Sequence, residues 1–296
     1  MAKEVTPEQI EMLDGMVAKA RAAAEIIATY DQERVDRLCQ AVAASVIDMK
    51  VWANLADEAV DETGLGDKVT KRNKRNKLKL ILRDCLRQKS VGVIEEIPEK
   101  GIVKYAKPVG VIASLVPTTN PCLTPAGQVI YAIKARDVII CSPHPRAKKT
   151  TNKCINIIRE TLVREGAPAD IIQGIEEPSI TLTQELMALA APGAMVQHCL
   201  PPHRGEEISP RGLRGPRRGD LRGGGKPAPR PEGGPVPADG GPGPKSNKRR
   251  LSEKTAVFSD KGGAHDEQGS IACAKVAPSV MRWVIFEAHV PENDVI

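Results

Sequence analysis

Apolar residues recur every three or four positions through the first sixty residues. Ile10, Leu13, Met16, Val17 and Ala20 form one set, and Val35, Leu38, Val42 and Val46 a second. That spacing lays each set along one face of a helix. Thr6-Pro7-Glu8-Gln9 predicts how the first helix begins, with Thr6 as N-cap, Pro7 in the first turn and Gln9 reaching back in a capping box. A second helix is expected over about Gln32–Met49, and a third over about Trp52–Glu62 that stops near Gly64. Residues 68–79, KVTKRNKRNKLK, are basic and polar. They read as a solvated helix face or a connector rather than as a ligand site.

From Ser90 the period changes. Residues 91–98 and 101–107 predict two strands joined by a turn at Glu99-Lys100-Gly101. An alternating series follows: an apolar run Val109–Val116, a helix over Thr124–Lys134, a strand Asp137–Cys141, a helix Ala147–Glu165 ended by Gly166, a strand Ile171–Ile175, and a helix Ser179–Leu189. Continuous apolar strands alternating with helices imply a parallel sheet covered on both faces. Right-handed connections make it half of a doubly wound, Rossmann-like α/β fold with helices before it. Such a half sheet is expected to leave one edge unpaired.

The pattern stops after Ala190. Residues 191–250 hold 12 Pro and 13 Gly, against 24 of the two together in the other 236 positions. A segment of that composition cannot bury enough apolar surface to offset its chain entropy, so disorder is expected there. It reads like GC-rich coding DNA translated out of frame. Residues 251–296 recover some apolar character, with one short element expected within Ser279–Val290. The organisation expected is therefore 1–190 as a folded region, 191–250 as low-complexity chain, and 251–296 as a short segment whose fold the pattern does not give.

Charge changes the picture in one place. The net charge is +6, but residues 204–250 carry 12 Lys/Arg against 5 Asp/Glu, leaving 31 basic and 32 acidic residues elsewhere. A nucleic-acid reading can rest only on that Arg-Gly segment. It has no interleaved aromatic for bases to stack on, which argues against it. No apolar stretch approaches 18 residues, so no membrane span is expected. The start, MAKEVTPEQIEML, has no apolar signal core, which argues against secretion. Seven scattered cysteines without a CxxC point to reduced thiols in a cytoplasm.

The chemistry-bearing residues lie at the ends of the expected parallel strands, where doubly wound sheets bind ligands. Pro117-Thr118-Thr119-Asn120-Pro121 follows the first and Ser142-Pro143-His144-Pro145-Arg146-Ala147 the second. Small polar residues there let a ligand approach the backbone. The Asn120 amide could donate to a developing oxyanion, or could cap its own turn before Pro121. Arg146, Lys148 and Lys149 could meet phosphates or simply form a solvated first helical turn.

The strings PTTNP and SPHPRA, with 166–179 (GAPADIIQGIEEPS) and 184–187 (QELM) in order behind them, resemble the CoA-acylating branch of the aldehyde dehydrogenase superfamily, nearest to its sulfoacetaldehyde-type members. The resemblance covers about residues 5–190. It implies oxidation of a small aldehyde with NAD or NADP and coenzyme A to an acyl-CoA, in a homo-oligomer. It also implies Asn120 as oxyanion donor, and Pro117, Thr118, Thr119, Ser142 and His144 at the cofactor.

The family's covalent step needs a cysteine thiolate in an FDN-x-T-x-C-type string and a Gly-rich turn for the pyrophosphate. This chain has neither, reading APGAMVQHCLPPHRGEE instead. Cys273, in GSIACAKV, is the candidate nucleophile by its Gly-Ser approach. Cys199 with His198 and His203 is a weaker nucleophile or metal candidate, and Cys122 beside the PTTNP loop an outsider. No metal site is expected. The chain thus reads as a truncated or frameshifted member with its activity in doubt. The alternatives are an RNA-binding protein acting through 204–250 and a non-catalytic partner of an intact dehydrogenase.

Overall fold

Thr6 opens the chain's first helix as expected: its hydroxyl accepts from the Gln9 N–H, and the Gln9 side chain accepts from the Thr6 N–H at 3.1 Å. The computed structural model describes residues 5–191 and 194, together with the strand segments 196–197 and 283–285. Helices α1 (Pro7–Ala28), α2 (Gln32–Ile47) and α3 (Met49–Thr63) follow one another. Asp31 caps α2 and Asp48 caps α3, while Gly64 ends α3 in the left-handed conformation at φ 66°.

The basic segment folds into two further helices, α4 (Lys68–Asn73) and α5 (Arg75–Leu86). It is only partly a solvated face. Leu78 is fully buried, and the Trp52 indole donates to the carbonyls of Lys71 and Arg72. That anchor presses α4 onto α3 and turns Lys71 inward, to 7% exposure.

Strands β1 (Gly92–Ile97) and β2 (Ile102–Ala106) form an antiparallel hairpin apart from the main sheet. Its turn closes on Gly101 at φ 61°. The main sheet begins at β3 (Val111–Val116) and continues through α6 (Leu123–Ala135), β4 (Val138–Pro143), α7 (Lys148–Arg164), β5 (Ile172–Gly174) and α8 (Ile180–Ala188). β3 pairs in parallel with β4, and β4 with β5. α1 and α8 lie on one face, while α6 and α7 lie on the other and are backed by α2. β4 is buried at every position and β3 at all but Leu115, which is why both strands are apolar throughout.

Among the described residues β3 is not the edge of the sheet. β7 (Trp283–Ile285) pairs antiparallel with β3, placing Ile112 opposite Ile285 and Ser114 opposite Trp283. β6 (Val196–Gln197) pairs with β7, so the strand order is β5-β4-β3-β7-β6 and the open edges are β5 and β6. β7 lies inside the short element expected at 279–290, and an antiparallel strand satisfies the donors and acceptors that β3 would otherwise expose. The remainder of 191–296, including the segment expected to be disordered, lies outside the described residues.

One corner ties these parts together. Arg136 sits at φ 64°, an uncommon conformation for a residue with a Cβ. Its guanidinium donates to the carbonyls of Ala28, at the end of α1, and Ala106, at the end of β2. The adjoining Asp137 carboxylate accepts from the N–H groups of Val109 and Gly110 at 2.6 and 2.8 Å, fixing the approach to β3.

Candidate functional site

Parallel register places the carboxyl ends of β3 and β4 side by side, with Val116 opposite Pro143. The His144 N–H donates to the Val116 carbonyl at 3.0 Å, stitching the two tips together. The loop holding Asn120 and the turn holding His144 therefore leave the sheet at one place, at the end where doubly wound sheets receive ligands.

The Asn120 loop is a tight turn. The Asn120 N–H donates to the Pro117 carbonyl at 3.4 Å, and the Asn120 carbonyl accepts from Thr124 at the start of α6 at 3.2 Å. The backbone closes this turn, and the side chain is not used as its cap. The side-chain Oδ1 instead accepts from the Lys74 ammonium at 2.5 Å. Nδ2 makes one long bond, 3.5 Å to the Thr119 hydroxyl. One residue earlier, the Lys71 ammonium donates to the Thr119 carbonyl at 2.7 Å. Burial lowers the pKa of both lysines, and for Lys74 the charges of Lys71 and Lys77 lower it further. Pro117, Thr118 and Asn120 are half-buried and Thr119 is exposed.

His144 is exposed, and its Nδ1 accepts from the Arg146 N–H at 3.1 Å, capping the turn Pro145–Ala147. An accepting Nδ1 puts the neutral ring's proton on Nε2, which is left to donate outward. Ser142 is buried, and its hydroxyl is shared with Thr183 of α8 at 2.7 Å. Any part Ser142 plays toward a ligand must come from its backbone or from exchanging that partner.

Two of the basic residues after His144 are committed within the protein, while Lys149 is exposed. Arg146 donates to the Thr63 carbonyl at 2.9 Å, and Lys148 pairs with Glu177. The first turn of α7 is occupied by Glu62, whose carboxylate accepts from the N–H groups of Lys149 and Thr150 at 2.9 and 2.8 Å. That helix start therefore offers no vacant anion site, and the pyrophosphate of a dinucleotide needs another cradle.

All five described cysteines are buried thiols. Burial raises Cys39 and Cys141 well above the usual thiol range and pushes Cys85 up to about 12. For Cys122 the neighbouring Cys154 thiol raises it most, followed by burial. Cys39, Cys85, Cys122 and Cys141 are therefore kept from the thiolate form, and Cys122 is set aside despite adjoining the loop. Cys273, Cys199, His198 and His203 lie outside the described residues. Among the described residues no cluster of His, Cys, Asp or Glu could hold a metal, and no helix is long and apolar enough to cross a membrane.

The strand-end positions of Asn120 and His144 were legible in the sequence. The approach of Lys71 and Lys74 to the Asn120 loop was not, the basic run KVTKRNKRNKLK giving no sign of it.

Comparison with known proteins agrees with this arrangement. Residues 3–194 match the model of the aldehyde dehydrogenase family. The chain is 46% identical over 179 residues to a sulfoacetaldehyde dehydrogenase of Acholeplasma sp, covering 60% of this chain and 37% of the relative. It is 42% identical over 172 residues to the acylating sulfoacetaldehyde dehydrogenase of Bilophila wadsworthia, covering 58% and 37%. An acetylating aldehyde dehydrogenase from Geobacillus thermoglucosidasius superposes with a TM-score of 0.58 at 32% identity, covering 61% of this chain and 40% of that one. The chain thus spans little more than a third of the length of the two curated relatives.

Proposed function

The chain belongs to the aldehyde dehydrogenase family, and from that premise we propose that it serves a CoA-acylating aldehyde dehydrogenase reaction. In this reading an aldehyde, coenzyme A and NAD⁺ or NADP⁺ give an acyl-CoA, NADH or NADPH, and a proton. The observation that carries it is the Asn120 amide, mounted where β3 and β4 end together and turned with its carbonyl toward Lys74. As the aldehyde oxygen gains negative charge, an Nδ2–H donor held in place contributes about 3 kcal/mol to the transition state.

The residues fit one part of a dinucleotide better than another. Thr118, Thr119 and the exposed His144 Nε2–H supply hydroxyl and N–H groups at the strand ends. They suit a ribose or the adenosine portion of coenzyme A. Pro117 and Ser142 would shape the same surface through their backbone. A nicotinamide cofactor, when bound, accepts the hydride that leaves the aldehyde carbon. The nucleophile assigned in this reading is Cys273, and the small substrate is an aldehyde of the kind named for the curated relatives, sulfoacetaldehyde. Cysteine usage supports a reducing, cytoplasmic setting, and a homo-oligomer is expected from the family.

The test is formation of reduced cofactor by the purified full chain with coenzyme A, NAD⁺ or NADP⁺, and a panel of short aldehydes. Turnover that Cys273→Ala abolishes and Cys199→Ala spares supports the reading and its nucleophile. Turnover that survives Cys273→Ala removes that assignment, and absence of turnover with every aldehyde overturns the catalytic role of this chain.

A further inference from the structure

An ammonium group has only hydrogens to give, so it can face only the carbonyl arm of a side-chain amide. Lys74 faces Asn120 in that way, at 2.5 Å. Asn120 Nδ2, on the opposite arm, is thereby turned away from Lys74. One of its hydrogens is engaged by the long bond to Thr119 Oγ1, and the other remains to donate. An asparagine without such a partner exchanges its two arms by a simple rotation. In the rotated state a carbonyl oxygen would stand where the donor is needed and would repel an oxyanion.

Lys74 is itself held in place. It ends α4 and begins α5, and its N–H donates to the Lys71 carbonyl at 3.1 Å. Neither Lys71 nor Lys74 makes an ion pair among the described residues, so no carboxylate competes with the amide for the Lys74 charge. Lys71 clamps the backbone one residue before Asn120. Loop and side chain are therefore fixed from one helix corner.

We propose that Lys74 is a positioning residue, locking the Asn120 amide with its carbonyl inward and its N–H outward and polarising that N–H as a donor. The proposal rests on Asn120 being the oxyanion donor. Lys74 acts through Asn120 and touches neither aldehyde nor cofactor.

The experiment uses the ¹⁵N-labelled full chain and follows the Asn120 side-chain NH₂ pair, assigned by its loss in Asn120→Asp. In the native protein this pair is expected to relax as an ordered group. Lys74→Met should release it, with solvent exchange of the two hydrogens rising about tenfold or more. Lys74→Arg, which keeps a cationic donor, should restore the ordered signal. Lys74→Gln can both donate and accept, so it no longer selects one arm of the amide, and it serves if the methionine variant does not fold. Backbone shifts away from 117–121 and from the substituted corner at Lys74 should stay in place, which distinguishes release of one amide from a general loosening. A pair that behaves identically in the native chain and in Lys74→Met or Lys74→Gln overturns the proposal.

Where the native chain forms reduced cofactor, Lys74→Met should lower kcat by about 10- to 100-fold with the aldehyde KM within about twofold, and Lys74→Arg should recover most of it. Unchanged kcat overturns the proposal equally. A native chain that forms no reduced cofactor removes the dehydrogenase reading instead, and the amide measurement still decides whether Lys74 sets Asn120.

Discussion

The Glu62 carboxylate, at the end of α3, accepts from both the N–H and the hydroxyl of Thr150 in the first turn of α7, at 2.8 and 2.5 Å. A helix start that lacks its own capping side chain is thus capped from another helix. Glu62→Ala should cost about 1–2 kcal/mol, read by urea denaturation of the full chain, with Glu62→Gln keeping part of it because an amide oxygen still accepts. A free energy unchanged in both variants would show that the cap adds nothing. Phosphate should raise the melting temperature of Glu62→Ala more than that of the native chain, since only the variant leaves those N–H groups unsatisfied.

Gly174 ends β5 against α7, where a Cβ would stand 2.2 Å from Asn152 Oδ1 and 2.7 Å from Ile155 Cδ1. Gly174→Ala should therefore destabilise by about 1–3 kcal/mol, the range for overpacking a filled interior. Asn152 also donates to the Ile175 carbonyl at 3.1 Å, so it cannot swing aside without losing a partner. A thermal melt of the single variant, and of Gly174→Ala with Asn152→Ala, checks the cause: the double change should recover part of the loss.

Burial pushes Asp137 up to about 7, although the N–H groups of Gly110 and Val109 pull it back toward ionisation. The folded protein then holds a proton on this carboxyl that the unfolded chain releases near pH 4. Its contribution to stability is full below about pH 4 and is lost as the pH rises toward about 7. Relative to Asp137→Asn, which does not titrate, the native chain should lose up to about 1.4 kcal/mol per pH unit across that window. Parallel stabilities of the two proteins from pH 4 to 8 would contradict the shift.

Thiol labelling under native conditions should spare Cys39, Cys85, Cys122, Cys141 and Cys154, all of them buried. Peptide mapping after brief exposure to a maleimide should find none of these five labelled. Rapid labelling of Cys122 would contradict its burial at 4% exposure and reopen it as a nucleophile.

The helices of the first sixty residues and the β3–α6–β4–α7–β5–α8 series were legible because burial there is periodic or continuous, and periodicity is a local property of sequence. The adjacency of Asn120 and His144 followed from strand order alone. Lys74 was not legible. A lysine in KVTKRNKRNKLK looks the same whether it faces water or a loop 46 positions away, and what turns it inward is the hold of Trp52 on α4. The capping of α7 by Glu62 was hidden for the same reason, its partners lying 87 and 88 positions apart. β7 showed only as a short apolar element, since three residues carry no sign of which strand they join.

The pairing of Ile112 with Ile285 joins positions 173 residues apart in the chain. At about 5–20 residues per second, a ribosome needs roughly 9–35 s to travel from one to the other. For that interval the nascent β3 has its hydrogen-bonding rim without its eventual neighbour, while β4 and β5 are already made. Newborn copies on one messenger thus present the same bare rim until β7 is made.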